Sequence, residues 1–328
     1  MTSKTNSRSI FSELLRRRVP QILAIYGAGC WTIVQIVEWV IDRYLISPYL
    51  TELCLIGMLS FIPSVALMAY FHGTPGRDKW HPIEKIGIPI NIFASILIML
   101  IAFYPKDLGA VTETVTCEDD LGNIVDKVVP KSVFRKKIAI FYFENETGDS
   151  TLNWIRYGLP WLCDSDLEQD FYISHITQDY FDYKIEDAGY SREDMLPLSL
   201  KKKISRTLNK NYFLEGSFNV IDDTYIIKTK LYETENGNIL TENRMLDADI
   251  FSLIDKLVRQ LKIDLQIPLQ YLNTTTDLPV QSITTDNVEA LKSYIKGGDK
   301  WEDSEESDAF DHFNNSVTYD KYGRPATW

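Results

Sequence analysis

The stretch KIAIFYFENETGDSTLNW, residues 137–154, decides how the rest of the chain is read. Its first seven residues form an apolar run of the kind found in a strand buried on both faces. Gly148 and the acids Glu144, Glu146 and Asp149 then break the run. From about Ser150 to Gln169, the residues Leu152, Ile155, Leu159, Leu162 and Leu167 recur near helical spacing. A strand that runs through a loop into a helix is the unit of α/β proteins, which keep their chemistry at the carboxyl ends of strands. A helix amino terminus attracts anions, but three carboxylates already supply negative charge here, so the loop disfavours phosphate. Calcium takes several oxygen ligands, and E-x-E-x-x-D lacks a full set. The spacing fits a structural role better: Asp149 or Ser150 caps the helix, Gly148 takes the tight turn, and the acids favour the helix dipole. Glu144 and Asp149 are therefore kept as candidate partner-binding residues, with no catalytic, cofactor or metal assignment.

Downstream, FYISHIT (171–177) predicts a short strand and LPLSLKKKISRTLN (196–209) a helix. Three strands follow in a row, NYFLEGSFNVI, TYIIKTKLYET and GNILTENRMLD, broken at Asp222-Asp223 and at Asn236-Gly237, a favoured hairpin turn. DIFSLIDKLVRQLKIDL (249–265) predicts a closing helix. This order implies an α/β, mixed-sheet domain over 136–270, followed by a linker at 271–286. Residues 105–135 are expected to form a hairpin and linker, with the hairpin in 111–129 and its turn at Gly122-Asn123.

Upstream, three apolar runs at 19–41, 52–71 and 86–104 each approach the ~20 residues needed to cross a bilayer. The first carries Gln21, Gln35 and Glu38. Glu38 lies about a turn from Asp42, so snorkelling or helix pairing is expected there rather than an ion pathway. GAGC at 27–30 faintly resembles a lipoprotein box, but the run continues past Cys30 to Ile41, too long for a signal. Gly27, Ala28 and Gly29 are expected instead where helices pack closely, which also offers a route to a homo-oligomer. Arg16, Arg17 and Arg18 precede the first span, behind Lys4 and Arg8. Arg77, Lys79 and Lys85 lie between the second and third spans, and only Arg43 lies between the first and second. The positive-inside rule then places residues 1–18 in the cytoplasm and residues 105–328 outside it, the periplasm in a bacterium.

Residues 1–110 hold 10 Lys and Arg against 7 Asp and Glu, and the remainder holds 24 against 39. An acidic soluble part repels phosphate backbones, so nucleic acid is not expected as a partner. There is no GxxxxGK[ST], no CxxC, and no Cys/His cluster with metal-ligand spacing. His175 sits inside a predicted strand and reads as packed rather than catalytic. Cys117 and Cys163 fall in the exported part, where a disulfide would persist, but their separation and contexts argue more for free thiols.

IAIFYFENETGD, KNYFLEGSF and YIIKTKLYETENGNIL together resemble the TolB amino-terminal-like domain, FlgO type. Phe143, Glu144, Asn145, Gly148 and Asp149 match its first element, Leu214 to Ser217 its second, and Leu231 and Gly237 its third. Tyr142 stands where that family usually has proline, and no tryptophan follows Leu240. FSELLRRRVPQILAIYGAGCWTIVQIVEWVID is similar to the membrane leader that precedes such domains in multi-domain bacterial proteins. Only about 15 residues come before the first span, so no cytoplasmic output domain is expected ahead of it. Residues 287–328 resemble one tetratricopeptide repeat, with Ala290, Tyr294 and Gly297 on a first helix and Ala309, Phe313, Ser316 and Asp320 on a second. Lys321 replaces the usual proline. One such repeat cannot bury its own apolar face, so the hairpin is expected either to continue as an array or to dock onto something else. Tyr294, Trp301 and Phe313 join Glu144 and Asp149 as candidate partner-binding residues.

The resemblance implies a non-enzymatic inner-membrane protein that binds protein partners in the periplasm and carries no cofactor. The alternative is a sensor or accessory subunit of a membrane complex that binds a small ligand through the exported domain.

Overall fold

The computed structural model describes residues 14–72, 80–118, 124–275, 277–302 and 305–320. The turn expected at Gly122-Asn123, Lys4, Arg8, Arg77, Lys79, the stretch from Lys321, and the side chains of Asp42 and Cys117 lie outside that description. The chain divides into two compact units, residues 1–113 and 114–328.

The first unit contains three helices long and apolar enough to cross a membrane: α1 (Val19–Tyr44), α2 (Tyr49–His72) and α3 (Pro82–Phe103). In hydrocarbon, helices gain little by burying apolar side chains, so contacts between them rest on small residues and hydrogen bonds. Ser64 Oγ donates to Asn91 Oδ1 at 2.5 Å, and Asn91 Nδ2 and Ser95 Oγ both donate to the Ser60 carbonyl, at 3.0 and 3.2 Å. Tyr26 ties α1 to α2 by donating to the Met58 carbonyl at 2.7 Å. Close packing occurs at Gly57, where an added Cβ would stand 3.1 Å from Met99 Sδ, and at Gly87, 3.1 Å from Leu67 Cδ1. Among the described residues, Gly27 and Gly29 have nothing within 4 Å of that position, so the close packing expected at the GAG stretch is not made there. Gly27, Ala28 and Gly29 are exposed along α1. Glu38 accepts from Gln35 on its own helix at 3.3 Å.

A two-stranded sheet, β1 (Thr112–Glu118) and β2 (Ile124–Pro130), comes before the mixed sheet of the second unit. The sheet contains β3 (Lys136–Ile140), β4 (Glu144–Asn145), β5 (Ile173–Thr177), β6 (Tyr212–Ile221), β7 (Thr224–Glu233) and β8 (Ile239–Asp247). The strand order is β5-β3-β6-β7-β8, with β4 paired to β6. β3 is parallel to both neighbours, and β6, β7 and β8 form an antiparallel meander. Ile138, Ala139, Ile140 and Phe141 are fully buried, as the continuous apolar run requires.

Both faces of the sheet are partly covered. On one lie α4 (Trp154–Leu167) and α7 (Ile250–Asp264). The α7 side chains Ile250, Phe251, Leu253, Ile254, Leu257, Val258 and Leu261 are buried, and its amino terminus is capped by Asp249 accepting from Phe251 and Ser252. On the other face, α5 (Asp182–Asp187) and α6 (Leu198–Thr207) enclose a cluster of Ala139, Phe141, Phe181, Ile185, Leu196, Ile204, Phe213 and Tyr232.

Residues 269–283 carry two short helices, α8 (Leu269–Thr274) and α9 (Val280–Ile283), and then a helical hairpin of α10 (Val288–Glu302) and α11 (Glu306–Tyr319). The hairpin docks on α4, where the Trp161 and Tyr294 rings pack at a tilt with centroids 5.1 Å apart. Inside the hairpin the Phe313 ring lies 2.6 Å from where a Cβ on Gly297 would stand, while Gly298 faces open space. Gly297→Ala is therefore expected to destabilise the unit by about 1–3 kcal/mol through overpacking. Gly298→Ala is expected to stabilise it by up to about 1 kcal/mol through helix propensity. Thermal unfolding of the two variants of the full chain in detergent checks the opposite signs.

Candidate functional site

Asn145 organises the loop that follows β3. Its Oδ1 accepts from the Thr147 amide at 2.9 Å and from Thr147 Oγ1 at 2.6 Å, while Nδ2 donates to the Asp149 carbonyl at 2.9 Å and Asn153 Oδ1 at 2.8 Å. Gly148 takes φ +75°, a left-handed turn that costs glycine little. Asp149 accepts from the Thr151 amide at 2.8 Å and caps a 3-10 turn, Ser150–Leu152, ahead of α4. The hydrogen bonds from Thr151 hold its carboxyl below the usual range. Asp149 is thus engaged as a cap, while Glu146 reaches across to Lys228 at 2.7 Å, which together with Ser217 lowers its pKa.

That reach leads to the open part of the sheet. Register aligns Glu215, Lys230 and Glu242 in one rung across β6, β7 and β8, and Ser217, Lys228 and Arg244 in the next. Directly opposed residues share a face, so these side chains point to the side that carries α5 and α6. Those helices cover only one end of it. Glu215 marks the boundary: it accepts from Lys201 Nζ and from the Tyr232 hydroxyl, both at 2.7 Å, and the Lys201 side chain is almost wholly buried. Beyond Glu215 the face is open and carries a groove of about 540 Å³. Glu144, Glu146, Glu215 and Glu242 line it with Lys228, Lys230 and Arg244. Opposite charges alternate across the Glu215–Lys230–Glu242 rung, whereas Lys228 and Arg244 stand side by side in the next. The groove thus carries charges of both signs spread over several strands, an arrangement suited to a polar, extended partner rather than to one small anion or cation.

A second polar cluster lies at the carboxyl ends of β3 and β5. The Tyr142 hydroxyl donates to Asp182 at 2.9 Å, its amide donates to Gln178 at 3.0 Å, and Gln178 donates to Asp182 at 3.0 Å. Burial raises the Asp182 pKa. Arg192 stacks 4.9 Å from the Tyr157 ring centroid and pairs with Asp299 of α10. This network ties the helical hairpin to the sheet and keeps its members occupied. His175 Nε2 stands 3.0 Å from Asp164, and Cys163 is a free, fully buried thiol whose pKa burial raises. A thiol held protonated in this way is a poor nucleophile. Among the described residues no three His, Cys, Asp or Glu side chains come together as a metal would require.

Of the residues singled out from sequence, Glu144 lines the groove and Asp149 caps the turn beside it. Tyr294 lies between Trp161 and Phe313, 5.1 and 5.7 Å away, where both it and Phe313 pack the hairpin. Trp301 is exposed at the end of α10. The groove residues Lys228, Lys230, Glu242 and Arg244 were not singled out. Their signal is the two-residue alternation in IIKTKL and TENRM, which only the register converts into a shared face.

No protein-family model matches the chain, and no curated protein sequence matches it. Solved structures give partial likenesses. The LpoB C-terminal domain from Salmonella enterica is 17% identical, with 34% of this chain and 82% of that chain covered, at a TM-score of 0.29. Lipoprotein GNA1162 from Neisseria meningitidis is 15% identical, with 43% and 99% covered, at 0.30. TolB from Acinetobacter baumannii is 13% identical, with 48% and 30% covered, at 0.27. At these scores the likeness assigns neither a family nor an activity.

Proposed function

We propose that the protein is a membrane-anchored, non-enzymatic component of the bacterial envelope that binds another protein across the open face of its sheet. The observation that carries this reading is the groove beyond Glu215, which four carboxylates and three cations line together on the open part of the sheet. Paired charges of both signs favour one orientation of a complementary polypeptide and penalise wrong partners. The three apolar helices, the resemblance of the FENETGD and LEGS elements to TolB-type domains, and the basic residues flanking the first span support an inner-membrane anchor with the acidic unit in the periplasm. The terminal hairpin, similar to a tetratricopeptide repeat, adds the exposed Trp301 as a further contact.

A photo-crosslinking residue at Lys230 of the full chain in membranes is expected to capture a different protein, whereas the same probe at the exposed Arg259 on α7 captures none. Lys228→Glu is expected to abolish the Lys230 adduct. No adduct at Lys230, or equal adducts at both positions, overturns the site. A reporter fused after Tyr319 is expected to be active only outside the cytoplasm, and cytoplasmic activity overturns the topology.

A further inference from the structure

β8 ends the row of strands, and among the described residues no backbone group pairs with its outer edge. It is nine residues long, Ile239–Asp247, well beyond the short edge strands by which proteins discourage pairing with other chains. Its even-numbered side chains, Leu240, Glu242, Arg244 and Leu246, are exposed on the groove face. Thr241 and Asn243 turn toward α7, where both donate to Asp264, at 2.9 and 2.6 Å, and a bulge at the start of the strand sets Ile239 opposite Tyr232 and leaves Leu240 as the extra residue.

We infer that this edge is the interface with a second copy of the same chain, paired antiparallel about a two-fold axis through Asn243. The choice of register follows from chemistry. In an antiparallel self-pair, residues whose amides and carbonyls point outward must meet others of the same parity, so the axis passes through a residue and never between two. An axis at Glu242 sets Glu242 against itself, and one at Arg244 sets Arg244 against itself. Like charges directly opposed destabilise a pair. An axis at Asn243 sets Glu242 against Arg244 twice, overlaps the regular ladder from Thr241 to Met245, and brings Leu240, at the bulge that opens the strand, beside Leu246 twice. Leu240 and Leu246 are 45% and 56% exposed in the single chain, so the pairing gives both an apolar neighbour. The same two charges blunt the edge against arbitrary strands, leaving one register favoured. The interface is isologous and closed, so it consumes the edge instead of propagating. Glu242 and Arg244 also line the groove, so the seam borders the surface on which the proposed partner would lie.

The test is the mass of the full chain in detergent, measured by sedimentation equilibrium across a concentration series. The parent is expected to dimerise. Glu242→Arg and Arg244→Glu are each expected to weaken dimerisation about tenfold or more, because each creates two like-charged contacts. The double swap E242R/R244E is expected to restore the parent constant to within about threefold, as a directly coupled pair requires. Both side chains are exposed, so near-UV circular dichroism is expected to be unchanged and separates misfolding from dissociation. As a register check, a mixture of Leu240→Cys and Leu246→Cys chains is expected to form the mixed disulfide, and Leu240→Cys alone is not. A monomeric parent, a dimer indifferent to all three charge variants, or a double swap as weak as the single ones each overturns the inference.

Discussion

Gly216→Ala is expected to lower the melting temperature of the second unit by several degrees. An ideal Cβ at Gly216 would stand 2.4 Å from the Phe143 ring and 2.9 Å from the Lys228 carbonyl oxygen. Phe143 is fully buried, and Lys228 is paired to Ser217 in the β6–β7 ladder, so neither neighbour has room to yield. Overpacking of this kind costs about 1–3 kcal/mol, with each kcal/mol worth about 2–4 °C in a unit of this size. The backbone oxygen sets a floor, since trimming the ring leaves it in place. Phe143→Leu added to Gly216→Ala is therefore expected to recover only part of the loss. Thermal unfolding followed by near-UV circular dichroism checks both, and an unshifted transition in Gly216→Ala refutes the packing account. Gly216 lies in the LEGS element that the family resemblance singled out, and the structure supplies a physical reason for glycine there: strand β6 must let Phe143 pass beneath it.

The second large effect is a fall in stability as pH rises from 5 to 8. Lys262 is buried between α4, α7 and the segment before α9. It donates to Asp277 at 2.8 Å, and its Nζ stands 3.4 Å from Asp170. Asp166, on α4, is buried beside them with its Oδ1 unpartnered, and faces Lys262 and Asp255 from α7, Asp277 from the following segment, and Asp170. Burial, offset in part by Lys262 and reinforced by the neighbouring carboxylates, raises its pKa to about 7. Unfolded, the same side chain titrates near 3.9. Between these values the native state holds a proton that the unfolded state has released, so its stabilising contribution is full below about pH 4 and is lost as pH rises toward 7. The loss from pH 5 to 8 is about 2–3 kcal/mol. Asp255, Asp179 and Asp182, also raised by burial, act in the same direction. Glu146, Asp149 and Asp247 are lowered, so their contributions disappear only in more acidic solution, below the ordinary carboxylate range. Asp166→Asn, a near-isosteric change that removes the charge, is expected to raise the melting temperature at pH 8 and to flatten the profile. A parent whose stability is level or rising from pH 5 to 8 contradicts this assignment.

Much of the fold was legible because it is encoded locally. Apolar runs of bilayer length, the two-residue alternation of β6, β7 and β8, the Asn236-Gly237 turn and the helical spacing of α7 each fall within a short window and need no distant partner. The cap at Asp149 and the turn at Gly148 were legible for the same reason. Residues 178–187 were not: QDYFDYKIED has no clean period, and its 3-10 turn and α5 exist because Phe181 and Ile185 are drawn into the cluster with Phe141 and Phe213. The loop's acids suggested a site at the strand end, whereas only Glu146 among them bridges to a cation across the groove.

The amino-acid sequence by itself determined where the long apolar helices lie, which segments become strands, how the first strand turns into its helix, and how charge divides between the two parts of the chain. These follow from hydropathy, steric propensity and the chemistry of caps, all set by neighbours a few residues away. Tertiary structure alone decided that half of one sheet face stays open, that Glu215, Lys230 and Glu242 share a rung, that the helical hairpin folds back onto α4, and that four aspartates gather around one buried lysine. Each of these depends on the register and docking of segments tens of residues apart, where the free energy lies in contacts that no local pattern records.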